Sequence, residues 1–161
     1  MTGLRKTIWL TAILCAGFGT SCLAQGGWDI EPIDSLLTVQ GRLQIDQVGD
    51  DGYRLTIDGH FIVEFGAFGV EIDSAVPSGI SAQYILLKID EGGGSCPQLY
   101  RLLDLTPGQK PYLTHEFGNC SAEAGMTMQG ENVAIIFSKT QDSKARTTIY
   151  QPDHRRLTTA F

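Results

Sequence analysis

The amino-acid sequence predicts an all-β protein, a small antiparallel β-sandwich or barrel with one disulfide-closed hairpin. Apolar and polar residues alternate along several short segments, as in strands with one buried face. No segment has a convincing 3.6-residue apolar period, and glycine or proline interrupts the chain roughly every eight to twelve residues, which is typical of strands joined by turns. The third observation is a pair of cysteines, Cys96 and Cys120, that flank a predicted hairpin.

The N-terminal segment predicts export and does not look like part of the fold. A basic start at Arg5 and Lys6 is followed by an apolar run and by small residues up to Ala24. This order is that of a cleavable signal peptide, and the apolar run is shorter than the roughly 20 residues that cross a bilayer. We expect cleavage of residues 1–24. Lipidation of Cys22, which would anchor the protein to an envelope membrane, is the alternative.

The charge of the remaining chain argues against nucleic acid as a partner. The full chain has 12 basic and 18 acidic residues. Arg5 and Lys6 leave with the signal segment, so 10 basic residues remain against 18 acidic ones and the formal charge becomes −8. Affinity for a phosphate backbone depends on Lys and Arg side chains. We therefore expect a periplasmic or secreted protein with no nucleic-acid partner and no transmembrane span in the mature chain.

The mature chain is predicted to contain one domain. Residues 25–36 form a lead with glycine and proline that we expect to be irregular, and residues 37–161 form a single β domain. The domain opens with apolar residues at a spacing of two, which predict one strand with a bend or bulge at Gly41: Leu37, Val39, Leu43 and Ile45.

Two later segments carry the clearest strand signals. Asp58-Gly59 is the strongest hairpin signal, and it joins the alternating segment 53–57 to the segment 61–65. Residues 81–89 are the most apolar stretch of the mature chain. They predict a central strand that is buried on both faces.

The disulfide prediction depends on the cysteine count and on the register of one hairpin. The expected cleavage removes Cys15 and Cys22 and leaves Cys96 and Cys120 to pair. Antiparallel pairing about a turn at Gly108 places Cys96 opposite Cys120, within the distance that a disulfide requires. An oxidising compartment permits the bond. An arginine on the apolar face is the weak point of this register, and a bulge at Pro97 would shift it. The register makes three further pairs: Leu99 with Phe117, Arg101 with His115, and Leu103 with Leu113.

A sequence pattern surrounds this hairpin. It consists of Gly93-Gly94-Ser95-Cys96-Pro97, then Tyr100-Arg101, then Phe117-Gly118-Asn119-Cys120-Ser121. Over residues 92–121 the chain resembles exported proteins of Gram-negative bacteria that share this disulfide hairpin. The resemblance implies the compartment and the disulfide, and it implies no catalytic mechanism.

The sequence contains no recognisable catalytic or metal motif. His60, His115 and His154 lie in separate segments, without the spacing of metal ligands. A triad of Ser95, His115 and Asp104 can be drawn, but no GxSxG motif supports it. The glycine-rich loop before the first cysteine lacks the lysine and the following helix of a phosphate loop. We expect no catalytic residue, cofactor or metal.

A candidate binding surface lies on the disulfide hairpin. Tyr100, Arg101, Tyr112 and Phe117 combine aromatic and arginine character, as interface hot spots do, although packing of the hairpin against a sheet is the favoured interpretation. The leading hypothesis is a non-enzymatic envelope protein that binds another macromolecule, as an inhibitor or accessory subunit. A small envelope hydrolase or carbohydrate-acting enzyme is one alternative, and a small-ligand carrier is another.

Each functional hypothesis predicts a different structural feature. Two carboxylates about 5–10 Å apart in a cleft would favour the enzyme. A large apolar cavity would favour the carrier. An exposed apolar patch on the disulfide hairpin would favour the macromolecule-binding protein.

Overall fold

The computed structural model describes residues 32–93, 96, 98–140 and 144–160, which form strands joined by tight turns and two 3-10 turns. The predicted signal segment and residues 25–31 of the predicted lead lie outside this description. No helix in the described part is long and apolar enough to cross a membrane. The strands are β1 Asp34–Thr38, β2 Gly41–Val48, β3 Gly52–Ile57, β4 His60–Gly66, β5 Gly69–Val76, β6 Tyr84–Asp90, β7 Gln98–Asp104, β8 Tyr112–Leu113, β9 Ala124–Gln129, β10 Asn132–Phe137, β11 Arg146–Gln151 and β12 Arg156–Ala160.

The strands form three antiparallel sheets of four strands each. Sheet A has the order β1-β2-β3-β4, sheet B the order β5-β6-β7-β8, and sheet C the order β12-β11-β10-β9. Neighbours in each sheet are consecutive in the chain, because two-residue and short turns join antiparallel strands directly. The all-β, sandwich-like prediction is confirmed.

Two apolar cores separate the sheets and make sheet B the middle layer. The A–B core contains Leu43, Ile45, Tyr53, Leu55, Ile85, Leu87, Ile89 and Leu103. The B–C core contains Tyr84, Leu86, Tyr100, Leu102, Val133, Ile135, Phe137 and Tyr150. Alternate residues of β6 enter different cores, so the predicted central strand buried on both faces is confirmed.

The first predicted strand is wrong, because the chain reverses direction where only a bend was expected. β1 pairs antiparallel with β2 through a turn at residues 39–40. Leu43 and Ile45 enter the A–B core, whereas Leu37 is exposed. β1 also begins at Asp34, so the end of the lead that was expected to be irregular belongs to sheet A.

The predicted Asp58-Gly59 turn is confirmed, and it also shapes the preceding hairpin. Both residues have positive φ, 48° and 77°, as a tight two-residue hairpin requires. The Arg42 N–H donates to Asp58 Oδ1 over 2.8 Å. Gly41 has φ +126°, and a Cβ there would lie 2.2 Å from Asp58 Oδ2, so this close approach needs glycine.

The β7–β8 hairpin follows the predicted register only near its turn. Leu103 pairs with Leu113 as predicted. Phe117, however, pairs with Tyr100 and not with Leu99, so that predicted pair is wrong. The change of one residue places the Phe117 ring against the B–C core.

A bulge in the returning segment causes this difference. The Thr114 N–H donates to the Leu102 carbonyl oxygen over 3.0 Å, which keeps the predicted register up to that point. Beyond it, His115 and Glu116 together lie opposite Arg101. The predicted pairing of Arg101 with His115 alone, the weak point of the register, is therefore replaced.

The predicted disulfide is confirmed despite the bulge. Cys96 and Cys120 are bonded, with their Cα atoms 4.9 Å apart and a sequence separation of 24. Cys120 adopts a left-handed backbone conformation with φ 63°. The bond closes the open end of the hairpin.

Candidate functional site

The four residues of the predicted binding surface do not form one exposed patch. Tyr100 is fully buried, and its hydroxyl donates to the Ser121 carbonyl oxygen over 3.0 Å. Phe117 is partly buried and meets the Phe137 ring edge-on in the B–C core. Because strand neighbours point to opposite faces, Arg101 leaves the sheet on the other side from Tyr100. The Tyr100 side chain has no surface to offer a partner in this fold.

Arg101 and Tyr112 are each occupied by contacts within the chain. The Arg101 guanidinium forms an ion pair with Glu116 and lies 4.8 Å from the centre of the Phe65 ring. Tyr112 lies under Arg155, with 5.0 Å between the guanidinium carbon and the ring centre. These contacts favour the packing role of the four residues.

The disulfide end of the hairpin is tied to sheet C. The Asn119 amide donates to the carbonyl oxygens of Ser138 and Lys144, each over 3.1 Å. Arg146 Nη1 donates to the Gly118 carbonyl oxygen over 3.1 Å. The covalent bond closes the hairpin, and these hydrogen bonds hold its end against sheet C, which is a structural role.

The Asp104 carboxylate is not available to orient a histidine, as the Ser95–His115–Asp104 triad would require. Asp104 is 2% exposed, and its Oδ1 accepts hydrogen bonds from the N–H and the hydroxyl of Thr106. Its Oδ2 accepts the Tyr150 hydroxyl over 2.8 Å. Ser95 lies outside the described residues, and His115 is exposed on the hairpin. Both carboxylate oxygens therefore serve the core and not a histidine.

Burial of Tyr150 strengthens this structural interpretation. The pKa of Tyr150 is raised far above its ordinary value by burial, and the hydrogen bond to Asp104 raises it further. The hydroxyl therefore stays a proton donor to the carboxylate at any physiological pH. A charge inside a β-sandwich is tolerated because several donors satisfy it.

The other two histidines are also exposed. His60 lies at the start of β4, beside the Asp58-Gly59 turn, and His154 lies in the 3-10 turn Pro152–His154. Within the described ranges, no group of three or more His, Cys, Asp or Glu side chains is placed to hold a metal ion.

A polar cleft of about 330 Å³ lies where β5, β6 and β7 come together near the disulfide. The sheet register assembles it, since Gly69 lies opposite Asp90 and Glu71 opposite Lys88. Asp90 in turn lies opposite Gln98 on β7. The cleft is lined by Tyr53, Gly69, Val70, Glu71, Lys88, Asp90 and Gln98.

The cleft contains more negative than positive charge. Lys88 Nζ lies 2.8 Å from Glu71 Oε1, and Asp90 Oδ1 accepts the Gly92 N–H over 2.8 Å. Beside these groups, burial raises the pKa of the Asp73 carboxyl, although the Lys88 ammonium opposes part of the shift. One ammonium group thus faces several carboxyl groups.

Gln98 contributes an unusual feature to this cleft. Its Oε1 atom is buried and finds no hydrogen-bond donor among the described residues. A buried polar atom without a partner is uncommon in folded proteins and calls for an explanation.

Phe68 is an exposed aromatic residue at the rim of the cleft. Its side chain is 72% exposed, whereas its backbone is held firmly. The Phe68 N–H donates to the Asp90 carbonyl oxygen over 2.8 Å, and its carbonyl oxygen accepts the Tyr53 hydroxyl over 3.3 Å. The ring lies against Gly92, where a Cβ would come within 2.4 Å of it. The fold therefore holds a large apolar ring in solvent beside charged groups.

Sequence reasoning missed this cleft and its rim. Phe68 stands in the segment Gly66-Ala67-Phe68-Gly69, which matches no recognised functional motif. A bulky aromatic residue between glycines in a turn is the local signal that could have singled it out, because such a residue has little to pack against. The lining residues come from β3, β5, β6 and β7, and no local pattern joins them.

Comparisons of the chain with protein-family models, with curated proteins and with solved structures find no significant match. The functional proposal is therefore based on the cleft and its rim.

Proposed function

We propose that this chain is an exported, non-enzymatic protein of the bacterial envelope that binds another protein through Phe68 and the adjoining cleft. The observation that carries the proposal is the 72% exposure of Phe68, an aromatic residue whose backbone N–H and carbonyl oxygen are both hydrogen-bonded. Exposing so much apolar surface is unfavourable in water, whereas aromatic anchors of this kind contribute strongly to interfaces. The exposed ring lies near the cleft and not on the disulfide hairpin, which was the candidate surface in the sequence.

A comparison of two exposed phenylalanines tests the proposal. Tagged full-length protein would be produced in a Gram-negative host, cross-linked in the envelope, purified and quantified by mass spectrometry. We expect one envelope protein to be captured in near-equal amount by the wild type and lost in Phe68→Ala. Phe61→Ala is the matched control, because Phe61 is 63% exposed on β4, away from the cleft-lining residues.

Equal capture by all three proteins would contradict the use of Phe68. A wild type that captures nothing above a tag-only control would contradict binding of an envelope protein altogether.

The export part of the proposal is supported by the order of basic, apolar and small residues before Gln25 and by the disulfide. The intact mass of the purified mature protein tests it. We expect a chain that starts at Gln25. A diacylated or triacylated mass starting at Cys22 would establish the lipid-anchored alternative, and an uncleaved chain in the cytoplasm would contradict export.

One observation favours a second candidate, a carbohydrate-acting enzyme. Glu71 and Asp90 are diagonal neighbours on β5 and β6, and such residues lie about 7–8 Å apart. Paired carboxylates of glycoside hydrolases have similar separations. However, Glu71 is 61% exposed and bound by Lys88, so it lacks the apolar surroundings of the general acid in such enzymes. Loss of polysaccharide cleavage in Glu71→Gln and Asp90→Asn would establish the enzyme, whereas a wild type without such activity would exclude it.

The carrier hypothesis has no comparable support. The spaces between the three sheets are filled by the A–B and B–C cores, and the cleft is lined mostly by polar and charged groups.

A further inference from the structure

We infer that the cleft receives a positively charged side chain, an arginine or a lysine, of the partner protein. This inference builds on the proposed function, because it names the chemistry that the partner places beside Phe68.

The hydrogen-bonding groups of the cleft that lack a full set of partners are mainly acceptors. Gln98 Oε1 is buried and without a donor among the described residues. Asp90 uses Oδ1 to accept the Gly92 N–H, which leaves acceptor capacity on its carboxylate. The Tyr53 oxygen also retains acceptor capacity when its hydroxyl donates to the Phe68 carbonyl. Arginine and lysine side chains carry donors and no acceptor, so they complement this set.

The charges of the cleft also favour a cation. Glu71 and Asp90 line it against the single ammonium of Lys88. The buried Tyr100 hydroxyl lies near carboxylates of this region. Burial first, and then the negative charges of Asp73 and Glu71, raise the pKa of Tyr100 to about 12. An incoming cation would compete with Lys88 for Glu71 and would gain from Asp90 directly.

Phe68 supplies a ring surface for the same cation. The fold already places guanidinium groups over aromatic rings twice, with Arg101 over Phe65 at 4.8 Å and Arg155 over Tyr112 at 5.0 Å. Phe68 stands 72% exposed, so its ring is open to a cation from outside the chain. A cation over such a ring is attracted by the negative face of the π-system.

The test uses a blocked pentapeptide with one arginine between glycines. Its binding to full-length ¹⁵N-labelled protein would be followed through the amide signals of Gly69, Asp90 and Gly92. The matched control peptide carries citrulline, which has nearly the same shape without the charge. We expect the arginine peptide to shift these signals and the citrulline peptide to bind about fivefold more weakly or not at all.

Two variants that change the charge of the cleft in opposite directions extend the test. Asp90→Asn removes a carboxylate and should weaken binding about fivefold. Lys88→Gln removes the competing ammonium and should tighten binding about two- to threefold. Glu131→Gln, in the exposed turn between β9 and β10, controls for the loss of one surface charge. Unchanged amide signals in the two cores show that each variant is folded.

Several outcomes would overturn the inference. Binding that Lys88→Gln weakens, or that Glu131→Gln weakens as much as Asp90→Asn, would mean that a diffuse surface charge is responsible. Tighter binding of free spermidine than of the peptide, with the same response to the variants, would assign the cleft to a soluble polyamine and not to a protein side chain.

The same variants separate this inference from the proposed function. Partner capture that is lost in Phe68→Ala but unchanged in Asp90→Asn would retain protein binding and overturn the cationic side chain. The opposite result is also informative. If the variants change peptide binding as expected but partner capture does not depend on Phe68, the proposed interface is overturned and the preference of the cleft for a cation is retained.

Discussion

At the scale of single residues, buried polar groups show how this fold tolerates charge. Asp104 is almost fully buried, yet three donors from Thr106 and Tyr150 satisfy its two oxygens. An ionised carboxylate without such donors would cost several kcal/mol. The cleft differs, because Gln98 keeps a buried acceptor unsatisfied among the described residues.

Removing the Tyr150 hydroxyl should destabilise the protein. Tyr150→Phe leaves one Asp104 oxygen without its donor, so we expect the free energy of unfolding to fall by about 1–3 kcal/mol. Urea unfolding followed by circular dichroism measures the change. Tyr84→Phe is the comparison, since its hydroxyl accepts from the neutral Gln83 amide and its loss should cost less. Equal losses in the two variants would contradict a special role of the buried carboxylate.

Asp73 should make stability depend on pH. Burial raises its folded pKa above the ordinary value of 3.8, so the folded state binds a proton more tightly than the unfolded state does. Its contribution to stability is therefore largest below pH 3.8 and is lost as the pH rises through the raised folded pKa. We expect Asp73→Asn to be more stable than the wild type at pH 7, with the difference disappearing in acid. Unfolding curves between pH 3 and 7 measure this, and a variant less stable than the wild type at pH 7 would contradict it.

At the scale of elements, the disulfide hairpin combines a regular strand with an irregular returning segment. β7 is fully paired with β6, whereas the opposite segment is bulged at residues 115–116 and pairs again only at Phe117. The bulge turns Phe117 toward Phe137 and sheet C. The disulfide then fixes the end of this segment, where few backbone hydrogen bonds would otherwise hold it.

Removing the disulfide should lower stability strongly. Replacing both Cys96 and Cys120 with Ala opens a loop closed by residues 24 apart, and the chain-entropy model predicts a loss of about 3 kcal/mol. The double variant avoids a free thiol, and urea unfolding compares it with the wild type. An unchanged unfolding midpoint would show that the hydrogen bonds of Asn119 and Arg146 alone secure the hairpin end.

At the scale of the whole molecule, β6 couples two cores that would otherwise be separate. Leu87 packs in the A–B core and its chain neighbour Leu86 in the B–C core, both fully buried. A sheet with two apolar faces has no stable exposed state in water. The three layers should therefore unfold together.

Substitutions in the two cores test this coupling. Leu86→Ala and Leu87→Ala should each cost about 2–5 kcal/mol and should each leave a single transition. Tyrosine fluorescence and far-ultraviolet circular dichroism would be recorded on the same urea series. Coincident curves are expected in both variants. Separate transitions in Leu86→Ala, with sheet C unfolding first, would contradict the cooperative unfolding of the three layers.

An element could be predicted from the sequence when the residues that cause it are close together in the chain. Asp58-Gly59 was correctly predicted because the turn needs two positive φ values that these adjacent residues adopt. The reversal before Gly41 was missed because its cause, the approach of the Asp58 carboxylate, lies in another hairpin. The bulge that moves Phe117 was missed for the same reason, since Phe137 of sheet C receives its ring.

The sequence by itself determined the strand-rich class, the doubly buried central strand and the Cys96–Cys120 bond. Alternation and turn chemistry act between nearby residues, and only these two cysteines lie after the predicted signal segment. Only the tertiary structure decided that three sheets stack with sheet B in the middle, and that Phe68, Lys88, Asp90 and Gln98 meet around one cleft. Contacts between residues of distant strands depend on which strands pair and on how the sheets pack. The alternation of apolar and polar residues in the sequence is compatible with many strand pairings and many sheet packings.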